Sequence, residues 1–139
     1  VVTRQWASGD AVEWRPELSA ALIGARPDIR ADAGKAAIER GPLVYCFEEA
    51  DNGAPLASLS ILRDAKLDAR YDAGLLGGAV VIEADGLADD AAAWPEDTPY
   101  RPLAEVPAPK PVRLTAVPYY LWGNRGQGEM TVWIRIAGR

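Results

Sequence analysis

Val117-Pro118-Tyr119-Tyr120-Leu121-Trp122-Gly123-Asn124-Arg125, continued through Gly126-Gln127-Gly128 into Glu129-Met130-Thr131-Val132-Trp133-Ile134, is the stretch that decides how this chain folds. The residues from Leu114 to Leu121 are rich in β-branched and aromatic side chains, which suit a pleated, half-buried strand. Gly123-Asn124-Arg125-Gly126 and Gln127-Gly128 then supply turn chemistry. A second strand is predicted over Thr131 to Ile136, with Val132, Ile134 and Ile136 on one face and Thr131, Trp133 and Arg135 on the other. Strand, glycine-rich turn and strand make up the repeating unit of an antiparallel all-β fold.

The rest of the chain extends that pattern. Thirteen glycines and eleven prolines cut it into pieces too short for long helices. Ala11 to Arg15 alternates apolar and polar residues after the turn residues Ser8-Gly9-Asp10. Ala36 to Glu48 reads as a strand with a kink or bulge at Gly41-Pro42, followed by a turn at Asp51-Asn52-Gly53. Leu59 to Leu62, Lys66 to Tyr71 and Ala79 to Ala84 are further short strands. The acidic, alanine-rich stretch 87–94 predicts a short helical turn, and the five prolines of Pro99 to Pro111 an extended surface run. These elements point to one domain over 1–139, an antiparallel, jelly-roll-like β-sandwich.

Composition narrows the function. A net charge of −5, with fifteen Lys and Arg scattered along the chain, argues against nucleic acid and an anionic membrane surface as partners. No apolar run approaches the ~20 residues of a membrane helix. The chain does not begin with Met, its one Met being Met130, which suggests an excised or processed piece and leaves localisation open. One cysteine excludes an internal disulfide. The lack of histidine removes the Ser-His-Asp triad, the Cys-His dyad and every imidazole zinc ligand.

Four segments carry a resemblance. Arg4-Gln5-Trp6-Ala7-Ser8-Gly9-Asp10 with Val12, Arg40-Gly41-Pro42-Leu43-Val44-Tyr45-Cys46-Phe47-Glu48, Tyr100-Arg101-Pro102-Leu103, and the Pro118 to Trp133 run resemble, in order, the C-terminal part of one family. That family is the glycoside hydrolases of the family 127 type, typified by β-L-arabinofuranosidases and formerly a domain of unknown function. The resemblance implies a parent with a large α/α barrel followed by β-sandwiches, whose cysteine nucleophile sits on zinc in the barrel. None of those catalytic positions falls in this chain, so it implies no catalytic residue, metal site or cofactor here. It also implies that strands at both ends belong to a neighbouring sandwich.

Several residues are candidates for chemistry or binding. Tyr119, Tyr120, Trp122 and Trp133 can stack on sugar faces, but alternate residues filling the two sides of a core strand is the preferred reading. Asn124 and Arg125 can hydrogen-bond a sugar or a neighbouring domain, or simply build the turn. Tyr120, Trp122, Asn124 and Arg125 are accordingly the candidate ligand-binding set. Cys46, in an apolar strand, reads as a small hydrophobe. Glu48 and Glu49 point to opposite faces of a strand and cannot alone form a glycosidase pair, and Asp85, Asp89, Asp90, Glu96 and Asp97 read as a solvated loop. The leading expectation is a non-catalytic accessory domain that supports the parent's barrel or a homo-oligomer. A carbohydrate-binding module is the alternative, and an independent carboxylate hydrolase the third.

Overall fold

The computed structural model describes residues 1, 3–53 and 55–138. Its strands are β1 (Ala20–Gly24), β2 (Lys35–Arg40), β3 (Leu43–Glu48), β4 (Leu59–Leu62), β5 (Asp68–Asp72), β6 (Ala79–Ala88), β7 (Lys110–Pro118), β8 (Met130–Thr131) and β9 (Ile134–Ala137). A single-turn helix, α1 (Glu49–Asn52), follows β3. The predicted helical turn is a 3-10 turn at Ala91–Ala93, residues 87 and 88 belonging to β6. Among the described residues no helix is long and apolar enough to cross a membrane.

The fold is all-β, but the expected antiparallel sandwich is replaced by a closed barrel. Six strands join in the ring β2–β9–β4–β6–β7–β3 and back to β2, with β1 added to β2, β5 to β6 and β8 to β3. One pairing is parallel: Ser60, Ile61 and Leu62 of β4 lie beside Arg135, Ile136 and Ala137 of β9. Strands so distant in sequence have no hairpin linking them, and local turn chemistry says nothing about their pairing. The physical aid to closure is Gly86, near the C-terminal end of β6. A Cβ there would stand 2.5 Å from the Ser60 carbonyl oxygen and 2.5 Å from Leu114 Cδ1. Glycine permits that close approach, and closure removes sheet edges that would otherwise need covering.

Local expectations are corrected in three places. Gly41-Pro42 does not kink one strand; it is the two-residue turn of the β2–β3 hairpin, with Arg40 opposite Leu43. Gly41 has φ +59°, and proline, with its fixed negative φ, follows it, which is the sequence of a type II′ turn. The Leu114–Leu121 strand ends at Pro118, where Tyr119–Leu121 coils into a 3-10 turn. The predicted Thr131–Ile136 strand is broken by a bend at Val132 and Trp133 into β8 and β9. A fourth expected strand, Ala11 to Arg15, pairs with nothing described.

Strand alternation divides the core. Tyr45, Phe47, Ile82, Leu114 and Ala116 point into the ring with Ile38. Cys46, Val81 and Val117 take the opposite face, where Leu75, Leu121 and Met130 cover them. That outer layer carries the loop on which the candidate residues stand.

Candidate functional site

The loop after β7 is shaped by its first and last residues. Pro118 is fully buried opposite Tyr45. The chain then turns, the Trp122 N–H donating to the Tyr119 carbonyl at 3.1 Å. The 3-10 coil takes Tyr119, Tyr120 and Trp122 out of strand alternation and leaves only Leu121 packed inward. All three rings are substantially exposed, Tyr120 to 63%. The rings of Tyr119 and Trp122 lie 6.1 Å apart and within 20° of parallel. The preferred core reading of this cluster is therefore corrected for three of its four members. Trp133 is half-buried and lines a separate hollow with Lys35 and Met130.

The other end of the loop is fixed by charge. Arg125 reaches the carboxylates of both Glu48, at the end of β3, and Asp51, in α1, with Nη1 2.7 Å from Asp51 Oδ1. Glu48 is 6% exposed, and its second oxygen accepts the Gly123 N–H at 3.1 Å. A buried carboxylate needs this degree of satisfaction to remain charged. Asn124 Nδ2 donates to the carbonyls of Leu121 and Trp122, at 3.0 and 3.3 Å, and so closes the turn on itself. Asn52 bridges α1 to β7, accepting the Thr115 N–H at 2.8 Å and donating to the Thr115 carbonyl at 2.9 Å. The carboxylate hydrogen bonds, that of Asp51 foremost, raise the Arg125 pKa above its ordinary value.

Acid–base and nucleophilic roles find little support in this arrangement. Burial first, and then the nearby Glu48 charge, push the Cys46 thiol up to about 12, far from a nucleophilic thiolate at neutral pH. Burial likewise raises the Tyr45 phenol, whose hydroxyl donates to the Val80 carbonyl at 3.0 Å. A shallow crevice of about 190 Å³ lies beside Glu48, Glu49, Arg125 and Glu129. Its carboxylates are engaged: Glu49 accepts the Glu129 N–H at 2.9 Å, and Glu129 accepts the Leu56 N–H at 2.6 Å. Among the described residues no three His, Cys, Asp or Glu side chains are grouped to hold a metal ion.

The four predicted ligand-binding residues share one loop but divide in exposure and engagement. Tyr120 and Trp122 face solvent, whereas Asn124 and Arg125 already have protein partners. Arg125 folds onto carboxylates rather than over an aromatic face. Sequence reasoning missed Glu48, Asp51 and Asn52, the groups that hold the loop. The available signal was a buried-register glutamate at the end of an apolar strand, which requires a cation. The acidic stretch after Ala84 is solvated as expected but not all loop, since Asp85 lies on β6, and it carries surface ion pairs. Asp85 pairs with Arg113 at 2.8 Å, Asp89 with Arg135 at 2.6 Å, and Asp90 with Lys110.

The chain is thus a small closed β-barrel whose charged side chains secure a loop and whose aromatic side chains face outward from it. Comparison with known proteins gives the particular family. The model of the glycoside hydrolase family 127 C-terminal domain matches residues 20–135, and this chain belongs to that family. It is 37% identical over 134 residues to the non-reducing end β-L-arabinofuranosidase of Bifidobacterium longum subsp. longum, a match covering 92% of this chain and 20% of that protein. Its fold is similar to that of a family 127 β-L-arabinofuranosidase from Geobacillus stearothermophilus T6, with a TM-score of 0.80 and 48% identity over 86% of this chain and 18% of the other. A second family 127 β-arabinofuranosidase structure gives 0.70 and 33%, over 86% of this chain and 17% of the other. The chain thus spans about a fifth of the length of the relatives it matches.

Proposed function

We propose that this chain is the non-catalytic C-terminal accessory domain of a β-L-arabinofuranosidase-type glycoside hydrolase, and that its Tyr119, Tyr120 and Trp122 face bears on the α/α barrel of the longer protein. The exposed aromatic patch on a rigidly held loop carries the docking half of this reading. Three large rings left in water are costly for a domain that stands alone, and Trp and Tyr are the residues that most often anchor an interface. Calorimetric titration of this chain with the separately expressed remainder of the enzyme tests it. Saturable binding, weakened roughly 30-fold by Trp122→Ala, is the expected result. No binding to a folded, active remainder would overturn the docking role.

A second reading has its own supporting observation. The near-parallel Tyr119 and Trp122 rings are also a suitable floor for a furanose or pyranose. Titration with arabinose-containing oligosaccharides separates the two. Heats that saturate in the millimolar range and vanish in Trp122→Ala make the patch a sugar platform, and flat heats leave the interface.

A further inference from the structure

We infer that Arg40 is the charged half of the docking face, its guanidinium receiving an aspartate or glutamate side chain from the part of the longer enzyme that precedes residue 20. The inference rests on the accessory-domain reading and names the chemical group that the partner presents to this face.

Strand register puts Arg40 at the mouth of the barrel. Ala36 and Ile38 of β2 belong to the core of the ring, so Arg40, two residues further on, takes the same inward side. It lies opposite Leu43 at the Gly41-Pro42 turn, and Leu43 also packs against the ring core. Because β7 runs antiparallel to β3, the chain that leaves Pro118 opposite Tyr45 continues toward this same turn. The Tyr119–Leu121 coil packs against β3 there. The Tyr45 phenol, raised first by burial, is lowered in turn by the Arg40 charge and raised again by Tyr120, so both side chains lie close to its hydroxyl. Arg40 and the exposed rings therefore meet at one end of the molecule.

The Arg40 charge has no counter-charge on its own barrel. The residue is partly buried, and its Nε has no hydrogen-bond partner among the described residues. None of the ion pairs among those residues includes it. Glu39 is exposed on the other side of β2, and the Tyr45 hydroxyl is neutral and already donates to the Val80 carbonyl. Other partly buried arginines are satisfied: Arg125 by Glu48 and Asp51, Arg101 by the Glu105 carbonyl and the Trp94 ring face. In a chain with twenty acidic and fifteen basic residues, a guanidinium held partly out of water without a carboxylate is an unfinished site. Its planar, permanently charged fork suits a carboxylate, the anion that a protein partner supplies.

The route of the chain identifies the source of that carboxylate. The matched family domain is C-terminal and starts at residue 20, and the chain spans about a fifth of the length of its relatives. In a family member the preceding polypeptide therefore enters past Leu18, whose side chain lies against Gly41, the residue after Arg40. The larger part of the enzyme is thus tethered close to the guanidinium, and a short tether raises its effective concentration above that of a second copy. The exposed rings of Tyr120 and Trp122 extend the same face.

Two measurements test the inference. In the calorimetric titration of this chain with the separately expressed remainder, Arg40→Met should weaken binding at least roughly 10-fold and Arg40→Lys less, with the difference shrinking at high salt. The Arg40→Met chain alone should melt no lower than the unsubstituted one, since it loses no internal partner. The second measurement uses the full-length enzyme carrying Arg40→Lys and a zero-length carbodiimide, which couples an amine to a carboxylate in contact with it. Mass spectrometry should find position 40 joined to an aspartate or glutamate that precedes residue 20 of the same polypeptide. Lys110 joined to Asp90 and Lys66 to Asp68 serve as controls. Coupled controls with position 40 free, or joined to a second copy, would overturn the inference. So would a lowered melting temperature of the isolated Arg40→Met chain, which would make the arginine a support of its own barrel. Full-strength binding by Arg40→Met, beside the weakening expected of Trp122→Ala, would sink the Arg40 pairing and spare the docking face. No binding by the unsubstituted chain would remove the docking face and the pairing with it.

Discussion

Two groups of aromatic residues lie within a few residues of one another in space and have opposite fates. Tyr45 and Phe47 on β3 are completely buried inside the ring, while Tyr119, Tyr120 and Trp122 just beyond β7 stand in water. Tyr45 is paired across the sheet with Pro118, so the two groups meet at that rung. Residue type therefore does not explain the contrast. Strand alternation sets the first group, and the 3-10 coil after Pro118 releases the second from alternation. What a side chain does here depends on whether the strand is still running when the chain reaches it.

The sharpest way to break the contrast is to truncate one ring from each side. Phe47→Ala removes a fully enclosed ring and should cost about 4 kcal/mol, lowering the urea midpoint with an unchanged slope. A loss below about 1 kcal/mol would mean that the ring interior is not the core described here.

Arg125 marks the join between the two groups, and its loss ranks next. Arg125→Met leaves Glu48 buried without its cation, an expected loss of about 3 kcal/mol. Adding Glu48→Gln should recover part of it, because the uncompensated charge is then gone. If the double variant were no more stable than Arg125→Met, the buried-charge account would be wrong and the guanidinium's packing would be the cause.

The strands and turns that rest on local chemistry were legible in the sequence. Leu59 to Leu62 is β4 to the residue. Lys66 to Tyr71 and Ala79 to Ala84 are strands with shifted ends, the latter running on to Ala88, whereas Ala36 to Glu48 is a hairpin of two strands instead of one bent strand. The closed ring was not legible, because the β4–β9 parallel pairing has no turn to announce it. The aromatic loop misled for a related reason. Val117 to Leu121 has strand composition, and its 3-10 turn follows from Pro118 being locked opposite Tyr45, a tertiary fact. Likewise Arg125 was identified as a candidate, but its partners are 74 and 77 residues away in sequence. Ala11 to Arg15 has strand alternation without a strand on this barrel.

Closure of the ring gives a third, smaller test. Gly86→Ala places a methyl group 2.5 Å from the Ser60 carbonyl oxygen, which is backbone and cannot swing aside. Separating β4 from β6 there should cost about 2 kcal/mol in a thermal melt. An unchanged melting temperature would show that the barrel has slack where the contact is tight.

The charged outer wall should matter less again, and its effect has a definite sign. Hydrogen bonds from Lys66 and then Arg113 hold the Asp68 carboxyl below its ordinary value, the Gly74 N–H does the same for Asp72, and Lys110 for Asp90. A carboxyl whose folded pKa is depressed contributes stability that is present above the unfolded value near 3.8 and is lost as pH falls through the folded value. Stability measured by urea titration should accordingly be level from pH 7 to about 5 and decline below 4, with a shallower decline at high salt. A decline that ignored salt would show that these exposed carboxylates are not its cause.

The smallest expected effect belongs to the exposed rings. Tyr120 is 63% exposed, and Tyr120→Ala should change the stability of the isolated chain by less than about 0.5 kcal/mol. Trp122 is 46% exposed and stacks on Tyr119, and Trp122→Ala should change it by about 1 kcal/mol. A small effect in the isolated chain is what distinguishes a surface reserved for a partner from one recruited to the core. The same two substitutions in the full-length enzyme carry the opposite expectation, a lowered melting temperature for the assembled protein. A loss of 2 kcal/mol or more in the isolated chain would erase the contrast between the two aromatic groups. Tyr120 and Trp122 would then support the barrel as Phe47 does, and the docking face would have to be sought elsewhere on the surface.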